Sequence, residues 1–152
     1  MKSKDGYFIN QGLTQHIHNG RYDSAYNGCG WIAAYNFLKI NGVSMRSEKV
    51  RTQLRLIMKG KFGTNPFSLY RFLRRNGFPV QRTYRLRKSK NYNSGIVLYF
   101  TGKTLHYVAF YKTSEDTYRF LNATYGLEND IRAFPQFIDE STKFPLGMIL
   151  SI

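Results

Sequence analysis

The chain changes hydrophobic period part-way along its length, and this most constrains its fold. Up to residue 77 the apolar residues recur at helical spacing; from Val80 onward they alternate or run together as strands do. Ile32, Ala33, Ala34, Phe37 and Leu38 predict a first helix from about Gly30 to Ile40, stopped by Asn41-Gly42. Ser47-Glu48 opens an expected second helix through Val50, Leu54, Ile57 and Met58, ending near Gly60. A third is expected from Ser68 to Asn76, with Leu69, Phe72 and Leu73 on its apolar stripe and Gly77 closing it. Strands follow at Val80–Leu86, Ile96–Phe100, His106–Lys112, Thr117–Asn122 and Leu146–Ile152. Thr101-Gly102-Lys103-Thr104 reads as a hairpin turn between two of them. Helices first and strands after is the order of an α+β fold. Residues Met1 to Asn19 read as an extended arm, and no linker or repeat divides the 152 residues, so one domain over 1–152 is expected.

The hydrophobic fraction of 42% is enough for a core without staples, and one cysteine rules out an internal disulfide. No apolar run approaches the roughly 20 residues that span a bilayer. Met1 to Gly6 leads into no long apolar segment, so no signal peptide and a cytoplasmic setting are expected. Nothing in the residue pattern calls for a cofactor. His16 and His18 are two apart without a nearby Cys or acidic ligand, which reads as surface histidines rather than a metal pair. Charge is the unusual property: 23 Lys and Arg stand against 9 Asp and Glu, and no acidic residue occurs between Lys49 and Ser114. Such a field favours an anionic partner, whether nucleic acid, acidic peptide or membrane surface, or serves solubility alone. Arg85 to Lys90 is a basic connector within it.

The single cysteine lies in Asn27-Gly28-Cys29-Gly30-Trp31, directly before the first helix. A lone cysteine is most often a buried small hydrophobe. At a helix N-terminus it also feels the positive end of the dipole, which favours thiolate. A cysteine nucleophile needs a base, and the base needs a group to fix its orientation. His106 begins one expected strand and Asn122 ends the next, so an antiparallel pairing makes them neighbours at one sheet edge. Cys29, His106 and Asn122 are therefore the candidate catalytic set, with Cys29 expected as a partly exposed thiol.

The ordered set Cys29-Gly30, His106-Tyr107-Val108-Ala109-Phe110 and Asn122-Ala123-Thr124-Tyr125-Gly126, preceded by Gly95-Ile96-Val97-Leu98-Tyr99-Phe100, resembles the papain-like cysteine peptidases. It is most similar to the double-glycine-leader peptidases that process bacteriocin precursors in bacteria. The resemblance implies a papain-like fold with N-terminal helices packed on an antiparallel sheet. It implies hydrolysis of a peptide or amide through a Cys29 thioester, with His106 as base and Asn122 orienting it. Asn122 stands where the leader peptidases usually carry Asp. Their oxyanion-hole Gln, six residues before the Cys, is Asp23 here. The candidates for that role become Asp23, Asn27 and Gln15, beside the Cys29 N–H. Related acyltransferases share the chemistry. The alternative is a catalytically weak or inactive peptidase-like protein that binds an anionic partner through its basic face.

Overall fold

The computed structural model describes residues 1–87, 91–144 and 146–152. It is a mixed α+β structure with one six-stranded antiparallel sheet at its centre. The helices are α1 (Ser24–Asn27), α2 (Cys29–Ile40), α3 (Ser47–Gln53), α4 (Pro66–Arg75) and α5 (Phe134–Ser141). Strands β1 (His18–Asn19) and β2 (Tyr22–Asp23) form a small hairpin. Strands β3 (Gln81–Arg85), β4 (Ser94–Phe100), β5 (Leu105–Lys112), β6 (Tyr118–Leu121), β7 (Ile131–Arg132) and β8 (Leu146–Ser151) make the sheet in the order β3-β8-β4-β5-β6-β7.

The pleat divides the core in two. Ile96 and Leu98 of β4, Tyr107 and Ala109 of β5, and Met148 and Leu150 of β8 pack against α2, α3 and α4. Their neighbours Val97, Tyr99, Val108, Phe110 and Ile149 face the other way, onto Phe134, Phe137 and Ile138 of α5. Alternation along each strand thus feeds two apolar layers, which is why β4 is buried along almost its whole length. Helix α2 lies at the centre of the first layer: Ile32, Ala34 and Phe37 have no exposed surface. It ends as expected, with Gly42 at a φ of 77° and the Val43 N–H donating to the Leu38 carbonyl.

Three expectations about the elements need correction, and one helix adds to them. The second helix does not run to Gly60: α3 stops at Gln53, Leu54 turns extended and buries its side chain, and Ser68 Oγ takes the Arg55 N–H at 2.8 Å. The third helix starts earlier, at Pro66, because the Asn65 side chain caps it by accepting from the Phe67 and Ser68 N–H groups. Helix α5 was not foreseen, and it covers the face of the sheet opposite α2. The N-terminal arm is not free: the Phe8 backbone exchanges two hydrogen bonds with the Asn36 side chain, and the Phe8 ring meets Trp31 edge-on at 5.1 Å. The basic connector extends beyond the described residues after Arg87.

Candidate functional site

Cys29 is the first residue of α2, and only Gly28 separates that helix from α1. Both flanking glycines are forced by close approach. A Cβ on Gly28 would lie 2.4 Å from the Ser24 carbonyl oxygen, and one on Gly30 would lie 2.2 Å from Thr64 Oγ1. Thr64 therefore sits directly over the start of α2, where its carbonyl accepts from the Tyr107 hydroxyl at 3.0 Å. Helix α2, the Thr64 segment and strand β5 are locked together around the cysteine.

Cys29 is buried, with 7% of its surface exposed, rather than the partly exposed thiol expected from sequence. Burial pushes the thiol above its ordinary pKa. The backbone N–H groups of Tyr107, Gly30 and Cys29 itself pull the other way without overcoming it. The helix start therefore supplies the amides expected of it, and desolvation outweighs them. The resting group is a neutral thiol.

His106 is the second residue of β5, one before the Tyr107 amide that faces the sulfur. Its ring is bracketed by Tyr99 at 5.9 Å and Tyr125 at 6.2 Å, both edge-on. Both tyrosines feel the charge a Cys29 thiolate would carry, which adds to burial in raising their pKa values. His106 pairs with Tyr99 and so shares the sheet face of Tyr99 and Val108, whereas Cys29 packs on the Tyr107 face, and no hydrogen bond joins imidazole and thiol among the described residues. Burial lowers the His106 pKa, opposed by its hydrogen bond to Asn122. The ring is neutral at pH 7.

Asn122 meets His106 through its backbone. His106 Nε2 lies 2.8 Å from the Asn122 carbonyl oxygen. A carbonyl only accepts, so Nε2 carries the proton and Nδ1 of the neutral ring holds a free lone pair. The Asn122 side chain is engaged elsewhere: its Oδ1 accepts from the Gln11 N–H at 2.9 Å, and its Nδ2 donates to Gln11 Oε1 at 3.3 Å. Gln11 Nε2 in turn donates to the Ala25 carbonyl of α1 at 3.0 Å. Asn122 has a φ of 70°, the left-handed region that Asn tolerates better than most residues. The side chain therefore pins a strained turn, and the turn presents the carbonyl to His106.

The three oxyanion candidates lie apart from any such role in the resting structure. Asp23 caps α1, accepting from the Tyr26 N–H at 3.0 Å. Asn27 is held by Asn19 and Gly60, donating to both their carbonyls at 2.9 Å. Gln15 is exposed and makes no hydrogen bond among the described residues. The donors nearest the sulfur are main-chain amides. Among the described residues no three His, Cys, Asp or Glu side chains gather as a metal set.

Cys29 lines a cleft of about 430 Å³ on the α2 side of the sheet. Tyr26, Phe62, Leu98, Leu105 and Tyr107 give it apolar walls, and Lys61 and Lys103 also line it. Tyr26, Phe62 and Leu105 are more than half exposed, an apolar surface fit for a partner side chain. His106 does not line this cleft; it stands behind Leu105 and Tyr107. Thr64 also lines the cleft, and its Oγ1 is buried without a hydrogen-bond partner among the described residues. No protein-family model matches this chain, and no curated protein matches it. No helix among the described residues is long and apolar enough to cross a membrane.

Three residues of the cluster escaped the sequence reading. Gln11 lies in the arm and has no motif around it. Tyr125 stands within the Asn122–Gly126 stretch, but nothing there marks a ring to be packed on imidazole. Thr64 could have been suspected from Gly30, since a glycine inside a helix suggests that something sits against it.

Proposed function

We propose that this protein is a papain-like cysteine hydrolase or acyl-transfer enzyme that opens a peptide or amide bond through a Cys29 thioester. One observation carries the reading. The only cysteine starts the central helix beside the Tyr107 amide of β5, and the residue before Tyr107 is a histidine held in one tautomer. That tautomer leaves Nδ1 free to accept a proton.

In the proposed reaction His106 Nδ1 removes the thiol proton as the Cys29 sulfur attacks the substrate carbonyl carbon. The tetrahedral oxyanion takes hydrogen bonds from the amides at the start of α2. Its collapse breaks the C–N bond, and the His106 imidazolium gives its proton to the departing amine. Water, deprotonated by His106, then attacks the thioester and releases the acid, and the proton returns to sulfur. Because thiol and imidazole are both neutral at rest, proton transfer accompanies attack rather than preceding it as an ion pair. The reaction requires the start of β5 to turn so that Nδ1 comes round from the Tyr99 side to the sulfur when substrate fills the cleft. Asn122 holds the ring through its carbonyl.

A second reading, a non-catalytic binder of an anionic partner, is favoured by the buried thiol and the absence of a resting Cys29–His106 bond. An activated ester of an N-blocked apolar amino acid separates the two. Mass spectrometry of the quenched reaction should find the acyl group on Cys29, with loss in Cys29→Ala and slowing by at least about a hundredfold in His106→Gln, the scale of a general base. Iodoacetamide labelling of wild type should stay slow at pH 7 and rise only above the ordinary thiol pKa of about 8.5. No acyl-enzyme, or equal acylation of wild type and His106→Gln, would remove the catalytic reading.

A further inference from the structure

A second concave site lies beside the Cys29 cleft and has no role in the chemistry above. Gln53, Arg55, Asn65, Phe67, Ser68, Arg71 and Arg75 are among the residues lining a groove of about 570 Å³, larger than the cleft itself. Arg71 and Arg75 are one turn apart on α4, so their side chains share a face of the helix. Arg55 comes from the segment after α3. All three arginines are exposed, and none is paired with a carboxylate among the described residues. The chain offers no acid nearby in sequence, since none occurs between Lys49 and Ser114. Three like charges lining one groove repel each other, and the arrangement is relieved by an anionic ligand. Guanidinium groups suit carboxylates in particular, through paired, charge-assisted hydrogen bonds.

The groove and the cleft share a wall. Thr64 and Pro66 line the Cys29 cleft, while Asn65, Phe67 and Ser68 line the arginine groove. The wall is the link into α4: Asn65 is extended, with φ −68° and ψ 124°, and the chain turns helical at Pro66. Residues adjacent in sequence along this link therefore line the two sites. A polypeptide lying in the cleft reaches the arginines within a few residues, at roughly 3.3 Å per extended residue.

We propose that the Arg55–Arg71–Arg75 groove receives a cluster of Asp or Glu side chains on the peptide substrate, a few residues from the bond attacked by Cys29. The substrate is then a peptide with an acidic segment next to an apolar one: the apolar part fills the Tyr26–Phe62–Leu105 walls and the acidic part crosses the Thr64–Ser68 wall. This inference rests on reading Cys29 as an acyl-transfer nucleophile. The arginines gather in one groove with a single exposed ring, Phe67, beside them. A single-stranded nucleic acid is better served by a cationic track with repeated stacking platforms, so peptide is the favoured occupant.

Binding is measured on Cys29→Ala protein, which separates recognition from turnover. The probe is a fluorescein-labelled peptide with a run of glutamates followed by apolar residues, read by anisotropy at low salt. Its analogue with glutamine for glutamate and a single-stranded oligothymidylate of equal charge are the controls. The glutamate peptide should bind on the order of tenfold tighter than its glutamine analogue, the scale of hydrogen bonds to charged groups. Arg71→Gln/Arg75→Gln should erase that difference, and Arg55→Gln should reduce it. All three positions are exposed, and unchanged thermal unfolding of each variant shows that the fold is kept. Equal affinity for the two peptides, or an acidic preference that survives the Arg substitutions, overturns the groove assignment. Tighter binding of the oligothymidylate, lost in the same variants, overturns it in favour of nucleic acid. Turnover by wild type is scored separately. Cleavage with no acidic preference leaves the Cys29 chemistry standing and rejects the groove. Groove-dependent binding with no cleavage of the glutamate peptide rejects the Cys29 chemistry and the substrate role together, and leaves an acidic-peptide binder.

Discussion

Replacing Gly30 by Ala tests whether the Thr64 segment truly sits on the start of α2. In an exposed helix the change is favourable by about 1 kcal/mol, because Ala has the higher propensity. Here the new Cβ would lie 2.2 Å from Thr64 Oγ1, 2.4 Å from Thr64 Cβ and 3.1 Å from Thr64 Cγ2. Thr64 has no room to withdraw: it is 1% exposed, and its carbonyl is held by the Tyr107 hydroxyl. Two contacts this short put the cost at the upper end of overpacking, about 3 kcal/mol, for a net loss of about 2 kcal/mol. For a chain of this length that is a fall in Tm of roughly 4–8 °C. Urea unfolding should show a lower midpoint with an unchanged slope. Thr64→Gly removes the three atoms nearest the new methyl, whereas Thr64→Ala keeps the Cβ that it meets at 2.4 Å. The double variant Gly30→Ala/Thr64→Gly should therefore be more stable than the sum of its parts by about 2–3 kcal/mol, and Gly30→Ala/Thr64→Ala should recover much less. A Gly30→Ala protein as stable as wild type, or more so, would refute the packing and with it the geometry of the cleft floor.

Two further outcomes follow from the His106–Asn122 pair. Burial lowers the folded-state pKa of His106, so the unfolded chain binds this proton more readily. The stability it contributes is complete above the unfolded value of about 6.5 and is lost as pH falls through the lower folded value. Wild type should accordingly lose more stability than His106→Gln between pH 7 and pH 5 in urea titrations, and parallel curves would show that the ring is not desolvated. At position 122, Gly adopts a φ of 70° freely whereas Ala does not, so Asn122→Gly should keep more acylation activity than Asn122→Ala although neither can bond Gln11. Equal loss in both would mean that the side chain, not the carbonyl it positions, acts on His106.

The sequence carried the parts of the fold that are written locally. The apolar spacing of Ile32 to Leu38 made α2 legible, and the Asn41-Gly42 pair marked its end. The pairing of His106 with Asn122 followed from strand order alone, because β5 and β6 are joined by a short connection. Parts that depend on distant partners were not legible. Leu54 continues a helical stripe on paper, yet its helix ends at Gln53, and Leu54 buries itself in extended form. Helix α5 is eight residues long and begins Phe134-Pro135, and only the aromatic layer of the far sheet face, where Phe137 stacks on Phe120 at 3.9 Å, explains why it forms there. The arm looked extended because Phe8 and Ile9 show their purpose only against Trp31 and Asn36.

The site itself divides along the same physical line. Residue types and chain order are one-dimensional facts, and they placed the His106 imidazole beside Asn122. Protonation is set by solvent exclusion, which no spacing rule contains. The helix start and a neighbouring base both argue for thiolate, and a reading confined to them tilts the pair toward ions. Folding places Cys29 under Thr64 and Tyr107, and His106 between Tyr99 and Tyr125. Desolvation then raises one pKa and lowers the other, so that both shifts disfavour the ion pair. The same environment fixes what would reverse them. In the proposed reaction a substrate oxyanion would be the negative charge that raises the imidazole's proton affinity as the ring comes to the sulfur. Two neutral resting groups are therefore consequences of burial, for the thiol and the imidazole alike.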